Sequence, residues 1–189
     1  AIQGSIPAEA QASFFGLVYY PAVAGMNLQL MSLYAALNNW YAKFGASAAN
    51  GYADQVEAAI VRDEVLTKYY NEGMAEGKWK GMMMSSHACF VTWNEEGWHF
   101  PETTRVEPQK GSRLLVHAEQ ADRFVSEGSV SLPEFTQLGG ECYCLEIANA
   151  GSDAFDFEIR ATDGILLSKE TGIVDKELVS VEIRIDGKR

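Results

Sequence analysis

Apolar residues recur every three or four positions over the first quarter of the chain, which is the spacing of one face of an α-helix. This pattern predicts a helix over residues 8–46. Pro21 lacks an amide hydrogen and its ring crowds the preceding turn, so we expect a kink or break near Tyr20. Gly45 is a suitable residue to end the helix. The apolar stripe consists of Leu17, Tyr20, Ala24, Leu28, Met31, Ala35 and Trp40.

The same spacing predicts a second helix that starts near Ser47 or Asn50, either of which could cap it, and ends at Asn71. Asp63, Glu64 and Lys68 are expected on its solvent side, where Glu64 and Lys68 form a favourable i, i+4 pair. The predicted buried stripe consists of Val56, Ile60, Val61, Val65, Leu66 and Tyr69.

Helical periodicity stops between Glu72 and Pro108. Glycines interrupt this segment, which holds three of the four tryptophans. It is predicted to be a long structured loop with at most one helical turn. Loops of this length are uncommon unless they have a function or pack on a neighbour.

After Lys110 the apolar period changes from about 3.6 to 2, which is typical of half-buried strands. Alternation is clearest over residues 143–147, 155–160 and 179–185, and a first strand is expected at 114–116. Turns are expected at 149–152, 163–164 and 171–172. Only four to six strands fit, so the pattern favours a small immunoglobulin-like β-sandwich.

These patterns predict an α+β protein in two blocks, an N-terminal α-helical bundle followed by that sandwich. The expected domains are a helical domain with a long aromatic loop over 1–110 and a β domain over 111–189. Residues 1–110 carry 7 basic and 11 acidic side chains, and residues 111–189 carry 8 and 15. Both parts are therefore acidic.

Composition narrows the possible partners. The net charge is −11 and the pI is near 4.7, which argues against nucleic acid and anionic membranes as partners. No apolar run reaches the roughly 20 residues that span a bilayer. The first five residues do not resemble a signal peptide, and both ends are expected to be cut points in a longer polypeptide. Cys89, Cys142 and Cys144 are expected to be free, buried thiols.

The sequence carries no complete catalytic or metal-binding motif, so no cofactor and no metal are predicted. Cys89 follows His87 by two residues, but no third residue that would orient such a nucleophile and base is evident. Glu95 and Glu96 are adjacent carboxylates, which usually face opposite sides and fit a solvated turn better than a glycosidase pair.

Met82, Met83 and Met84 form a soft, adaptable cluster near Trp79, Phe90 and Trp93. Core packing is the favoured interpretation of this cluster. The alternative is a surface that stacks on sugar rings or on another domain, since aromatic faces suit both.

Several short motifs, in matching order over most of residues 13–185, resemble glycoside hydrolase family 115, the xylan α-1,2-glucuronidases. The resemblance is strongest at Gly77-Lys78-Trp79, Met82-Met83, His87 and Trp93. In the helical part, the matching segment is Phe14–Glu72, which includes Tyr41-Ala42-Lys43 and Leu66-Thr67-Lys68-Tyr69-Tyr70-Asn71. In the β part, the matching residues are Asn149, Gly151, Phe155-Asp156-Phe157 and Thr171-Gly172.

The resemblance implies the helical domain that follows the catalytic (β/α)₈ barrel of that family, and part of the next β domain. Members remove 4-O-methylglucuronic acid from glucuronoxylan with residues of the barrel, so no catalytic residue is assigned to this chain. Trp79, His87 and Trp93 are then candidates for contact with the barrel or with the rim of its sugar site. The implied partners are the barrel of the same polypeptide, xylan through the parent enzyme, and a homodimer.

Three alternatives stay open at this point. The chain could be a stand-alone carbohydrate-binding module, which needs two or three coplanar exposed aromatic rings. It could be a protein-interaction fragment with a large exposed apolar patch. It could also be an independent enzyme. The cellular compartment is not determined by the sequence, although a secreted or periplasmic parent is consistent with the resemblance.

Overall fold

The computed structural model of the protein describes residues 5–89, 92, 99–136 and 141–186. Helices occupy the first part of the chain and antiparallel strands the second, which confirms the predicted α+β arrangement in two blocks. Helix α1 spans Gln11–Phe14, α2 spans Tyr20–Lys43 and α3 spans Ala48–Lys68. Within the described residues, no helix is both long enough and apolar enough to cross a lipid bilayer.

The helix widens immediately before Pro21. A π-helical turn at Phe15–Tyr19 joins α1 to α2, and the amide of Tyr20 donates to the carbonyl of Phe15. Proline disrupts the regular hydrogen bond to the residue four positions earlier, and a π-turn is one way for a helix to absorb such a disruption. The disturbance expected near Tyr20 is therefore present, and the predicted single helix over 8–46 is divided there.

Gly45 ends α2 as predicted, because a left-handed residue is needed to close the helix. Gly45 has a φ of 72°. Its amide donates to the carbonyl of Ala42 at 3.0 Å, and the amide of Ala46 donates to that of Tyr41 at 3.1 Å. These two bonds form a Schellman motif, which satisfies carbonyls at the helix end.

The two expected caps of α3 have other partners. Ser47 directly precedes the helix, but its hydroxyl donates to the carbonyl of Gly151 at 3.2 Å. The Asn50 side chain pairs with the backbone of Val106, at 2.9 Å from Nδ2 to the carbonyl and 2.8 Å from the amide to Oδ1. The prediction that these side chains cap α3 is therefore wrong, because both satisfy backbone groups that lie far away in the sequence.

The described residues pack as two compact units. Unit 1 draws on Ala1–Leu37 and Tyr52–Thr103, and unit 2 draws on Asn38–Gly51 and Thr104–Arg189. The end of α2, the connecting turn and the start of α3 thus pack with the strands. The predicted domains, 1–110 and 111–189, state which segments would fold independently of each other. That statement remains a prediction.

In unit 1, small and polar residues bring α2 and α3 together. The buried apolar residues of this unit are Phe15, Tyr20, Ala24, Met31, Ala35, Ala53, Val56, Ala59 and Met74. The predicted stripes are wrong at four positions, because Leu17, Val61, Val65 and Tyr69 are 79%, 58%, 62% and 50% exposed. The buried face of α3 continues instead through Asp63 and Thr67, which is favourable only because each has a hydrogen-bonding partner.

Six strands form two antiparallel sheets in unit 2. The strands are β1 at Leu114–Ala118, β2 at Cys142–Asn149, β3 at Phe155–Glu158, β4 at Ile165–Leu167, β5 at Thr171–Val174 and β6 at Val179–Ile185. One sheet has the order β1-β2-β6-β4 and the other pairs β3 with β5. Ile147, Val174 and Val181 form a core shared by both sheets, so the arrangement is a small sandwich as predicted. An immunoglobulin constant-type domain has seven strands, whereas the described residues of this chain form six.

Thr171 and Gly172 lie in a strand, so the predicted turn there is wrong. Gly172 pairs with Phe157 across β5 and β3. A Cβ atom at Gly172 would lie 2.7 Å from the Phe157 ring. The glycine therefore lets an aromatic ring cover the neighbouring strand, which is a packing requirement and not a turn signal.

Within unit 2, the end of α2 is tied to the sheet by one carboxylate. Glu146 accepts from the Tyr41 hydroxyl at 2.9 Å and lies 3.1 Å from Nδ1 of His117. The Nε2 atom of His117 lies 2.9 Å from the carbonyl of Ala121. The ring of Phe124 packs on both Tyr41 and His117. His117 is therefore a structural histidine with a partner at each ring nitrogen.

A buried asparagine also holds the irregular segment of unit 2. Asn38 is 0% exposed. Its Nδ2 donates to the carbonyls of Ala49 and Thr104 at 2.8 and 2.9 Å, and its Oδ1 accepts from the amide of Thr104 at 2.7 Å. One side chain therefore closes the turn between α2 and α3 and fixes the chain at Thr104.

We expect Asn38→Ala to lower the free energy of unfolding by roughly 3 kcal/mol, because unpaired buried backbone groups cost about 1–3 kcal/mol each. Urea unfolding followed by circular dichroism measures the change. Gln29→Ala, at an exposed position of α2, is the control and should change stability by less than about 0.5 kcal/mol. Equal losses for both variants would contradict a special role for Asn38.

Candidate functional site

The predicted aromatic loop starts directly after α3. The chain leaves the helix through a π-helical turn at Tyr69–Gly73 and a 3-10 turn at Met74–Gly77. Ala75 and Glu76 have positive φ angles of 49° and 56°, which non-glycine residues rarely adopt. Met74 is 3% exposed in the core of unit 1, so it anchors the start of this loop.

Asn71 fixes the loop a second time. Its Nδ2 donates to the carbonyl of Met83 at 2.9 Å, and its Oδ1 accepts from the amide of Met83 at 3.1 Å. The asparagine side chain is buried and pairs with Met83 as a neighbouring strand would. Met83 itself is half-buried and packs against the core that contains Met74.

Asp63 fixes the loop at a third point, through His87. The Nδ1 atom of His87 lies 3.0 Å from each carboxylate oxygen of Asp63. The Asp63 side chain is 0% exposed and that of His87 is 15% exposed. Because a carboxylate accepts hydrogen bonds, Nδ1 is the ring nitrogen that carries the proton in this pair. The prediction that Asp63 lies on the solvent side is therefore wrong.

Asp63 also acts on a buried tyrosine. The Tyr20 hydroxyl lies 3.4 Å from that of Thr67, and the tyrosine is 5% exposed. Burial raises the pKa of Tyr20 above its ordinary value of 10.0, and the negative charge of Asp63 raises this pKa further. Tyr20, Asp63 and Thr67 thus form a polar cluster inside the helical unit.

A carboxylate that holds one nitrogen of a histidine is also the arrangement that orients a catalytic base. Asp63 is the orienting residue that the sequence did not reveal, and its only signal was its spacing of four residues from both Ala59 and Thr67. Cys89, the candidate nucleophile, is exposed and forms no hydrogen bond within the described residues. The Asp63–His87 pair therefore acts as a clamp on the loop.

The clamped loop presents large apolar side chains to solvent. Trp79 is 39% exposed, Met82 is 60% exposed and Met84 is 66% exposed. Lys78 places its Nζ atom 5.3 Å from the centre of the Trp79 ring. The favoured prediction of core packing is thus correct for the half-buried Met83 alone among the three methionines. Trp93, Phe90, Glu95 and Glu96 lie outside the described residues.

Two of the three candidate contact residues therefore belong to one substructure. Trp79 is on its exposed side and His87 is on its buried side, facing α3. Among the Phe, Tyr and Trp side chains of the described residues, the exposed ones are Tyr69, at 50%, and Trp79, at 39%. A sugar-binding platform of two or three coplanar rings would need both of them in one plane.

An open groove of about 510 Å³ runs beside this loop in unit 1. Its walls carry two carboxylates, Glu64 and Glu72, and two amines, Lys68 and Lys80. The two glutamates are eight residues apart along the chain, whereas glycoside hydrolysis needs two carboxyl groups that face each other across the sugar. The expected Glu64–Lys68 ion pair is also not formed.

Metal binding has little basis in the described residues. No group of three or more His, Cys, Asp and Glu side chains is placed to hold a metal ion there. The three cysteines are free, as predicted, but Cys89 and Cys142 are exposed and Cys144 is half-buried. The expected burial of the thiols is therefore wrong, because β2 turns Cys142 towards solvent.

Comparison with known proteins adds no assignment, since no model of a known protein family and no curated protein matches the chain.

We expect the stability of the wild-type protein to fall above pH 10, in part because of Tyr20. The pKa of Tyr20 is higher in the folded than in the unfolded state, so the unfolded state loses its proton first as pH rises and becomes relatively more stable. The contribution is fully present below pH 10.0 and is lost as pH rises through the folded pKa. Tyr20→Phe should therefore show a smaller alkaline loss, measured by urea unfolding between pH 8 and 11.

Tyr69→Phe, at an exposed tyrosine of the same unit, is the matched control and should keep the wild-type alkaline profile. Identical profiles for Tyr20→Phe and the wild-type protein would contradict the assignment of this loss to Tyr20.

Proposed function

We propose that residues 13–185 form a non-catalytic accessory region of a family 115 glycoside hydrolase, an α-glucuronidase that removes 4-O-methylglucuronic acid from glucuronoxylan. In this proposal the chain supports a catalytic (β/α)₈ barrel of the same polypeptide. The xylan substrate is bound and cleaved by that barrel, and this chain by itself has no activity.

The observation that carries the proposal is the placement of the residues on which the resemblance depends. Trp79, Met83 and His87 all lie on the loop that Asn71 and Asp63 clamp to α3. Asp63 in α3, together with Asn71 and Met74 in the turns that follow it, holds this loop in a defined conformation while Trp79 remains exposed. A rigid loop with an exposed aromatic tip is suited to contact with a neighbouring domain or the rim of a sugar site.

The chemistry of the described residues also favours an accessory role over an independent enzyme. His87 and His117 are both held by carboxylates within the fold. The two glutamates of the groove in unit 1 are eight residues apart along the chain, and Cys89 forms no hydrogen bond within the described residues. A carbohydrate-binding module is the alternative, because Trp79 could stack on a sugar ring.

The direct test is the gene sequence upstream of the codon for Ala1, together with an assay of both polypeptides. We expect an upstream (β/α)₈ pattern, release of 4-O-methylglucuronic acid by the polypeptide that contains it, and none by the 189-residue chain. Release by the chain alone would overturn the proposal, and so would an upstream sequence without a barrel. Binding of xylo-oligosaccharides by the isolated chain would favour the carbohydrate-binding module.

In the polypeptide that includes the barrel, we expect Trp79→Ala to lower kcat/KM on glucuronoxylan by about tenfold, the effect of losing one aromatic contact worth about 1–1.5 kcal/mol. Ile173→Ala, at a side chain that is 67% exposed on β5, is the control and should leave the kinetics unchanged. Unchanged kinetics for Trp79→Ala, with unchanged stability, would count against a role for this residue at the rim.

A further inference from the structure

Two thiols lie next to each other on the outer face of β2. Leu145 and Ile147 of this strand pack in the core that the two sheets share. Side chains alternate along a strand, so Cys142 and Cys144 point to the opposite face. Cys142 is exposed and Cys144 is half-buried. The outer face of β2 therefore carries a cluster of two nucleophilic side chains that the proposed function does not use.

Cys142 has a cation as its neighbour. Arg184 lies directly opposite Cys142 in the ladder between β2 and β6. The Arg184 side chain is 58% exposed, and its Nη2 atom lies 2.8 Å from Oε2 of Glu182. The Cys142 thiol, followed by Glu182, raises the pKa of Arg184 above its ordinary value. Cys142 is thus an exposed thiol beside a permanently charged guanidinium, the environment that is typical of reactive cysteines.

Cys144 has different neighbours. Its Sγ atom lies 2.8 Å from Oγ of Ser180 and 3.5 Å from the carbonyl oxygen of Leu145. Glu182 lies opposite Cys144 in the ladder. The amide of Cys144 donates to Oε2 of Glu119 at 2.9 Å, and its carbonyl accepts from the amide of Glu119 at 2.9 Å. Two carboxylates beside a half-buried thiol disfavour its attack on an anionic reagent.

We propose that the Cys142–Cys144 pair is a modification site for small disulfides that carry carboxylate groups, with Cys142 as the thiol that reacts. The inference is independent of the proposed function. The thiolate sulfur of Cys142 attacks one sulfur of the reagent, and the S–S bond of the reagent breaks. Cys142 is oxidised to a mixed disulfide, while the other half of the reagent is reduced and leaves as a thiol with the proton that Cys142 lost. Arg184 attracts the carboxylates of the reagent and stabilises the negative charge of the attacking sulfur.

The geometry of β2 lets this mixed disulfide persist. Residues two apart on a strand have Cα atoms about 6.6 Å apart, and their parallel Cβ atoms are about equally far apart. A disulfide needs Cβ atoms about 3.8 Å apart. Cys142 and Cys144 both pair with β6, and Glu119 holds two backbone atoms of Cys144. Cys144 therefore does not displace the bound half of the reagent, and an external thiol is needed to reverse the modification.

The test is the reaction of the 189-residue protein, reduced beforehand, with glutathione disulfide. Intact-mass spectrometry follows the rate of modification, and peptide mapping identifies the modified thiol. Cys89 is the internal reference, because it is exposed and forms no hydrogen bond within the described residues. We expect one glutathionyl group on Cys142, added at least fivefold faster than on Cys89 and released by dithiothreitol.

Two substitutions at Arg184 test the role of the cation. Arg184→Gln should slow the modification of Cys142 at least fivefold, whereas Arg184→Lys should retain most of the rate. Arg160→Gln is the matched control and should leave the rate unchanged. Arg160 follows β3 and also pairs with the glutamate two positions earlier, at 2.8 Å from Nε to Oε1 of Glu158, but it has no cysteine opposite it.

The proposal is overturned if Cys89 or Cys144 reacts first, or if Arg184→Gln and Arg160→Gln react at the same rate. Loss of two hydrogens to a disulfide between Cys142 and Cys144 equally contradicts it. Circular dichroism checks that the variants keep the wild-type fold. If Arg184→Gln does not fold, the wild-type protein is treated with cystamine, a disulfide with amines in place of carboxylates. The preference for Cys142 over Cys89 should then fall, and an unchanged preference counts against the proposal.

Discussion

Buried backbone groups need hydrogen-bonding partners, and the described residues between Gly77 and β1 form no helix or strand that would supply them. Asparagine side chains take that role. Asn38, Asn50 and Asn71 each donate to the carbonyl and accept from the amide of a single residue, as the adjacent strand of a sheet would. Without these amides, several peptide groups would be left unpaired, at about 1–3 kcal/mol each. The helical part of the chain therefore holds the irregular segments in place through these side-chain hydrogen bonds.

This use of the helices explains why their contact faces are polar as well as apolar. Alanines such as Ala35 of α2 and Ala59 of α3 are buried together in one core with Met31 and Val56. The polar residues among them, above all Asp63, reach past the helices to hold the loop. A buried carboxylate is unfavourable unless it is paired, and His87 supplies the partner. The position of the loop and the stability of the helical unit are thus joined through one interaction.

The character of the candidate site follows from the same need of buried polar groups for hydrogen-bonding partners. Side chains that could do chemistry, such as His87 and His117, are held in structural hydrogen bonds. The side chains that remain exposed on the loop are suited to packing and stacking, with Trp79 and the neighbouring methionines as the clearest cases. Such a division is typical of a region that positions something for a neighbour, which is the basis of the proposed accessory role.

The class of fold, the end of α2 at Gly45 and most of the strands could be predicted from sequence, because periodicity and turn chemistry are local properties. The candidate site could be predicted only in part, since motif resemblance selected Trp79 and His87 but not their anchors. What the tertiary structure alone decided is which polar residues are buried. The sequence pattern placed Asp63 on the solvent side, because the residue that pairs with it, His87, lies 24 positions away. It placed Gly172 in a turn, because the ring of Phe157 that requires a glycine there belongs to another strand. Burial of a polar or flexible residue depends on a partner brought close by folding, and that partner lies outside any local pattern.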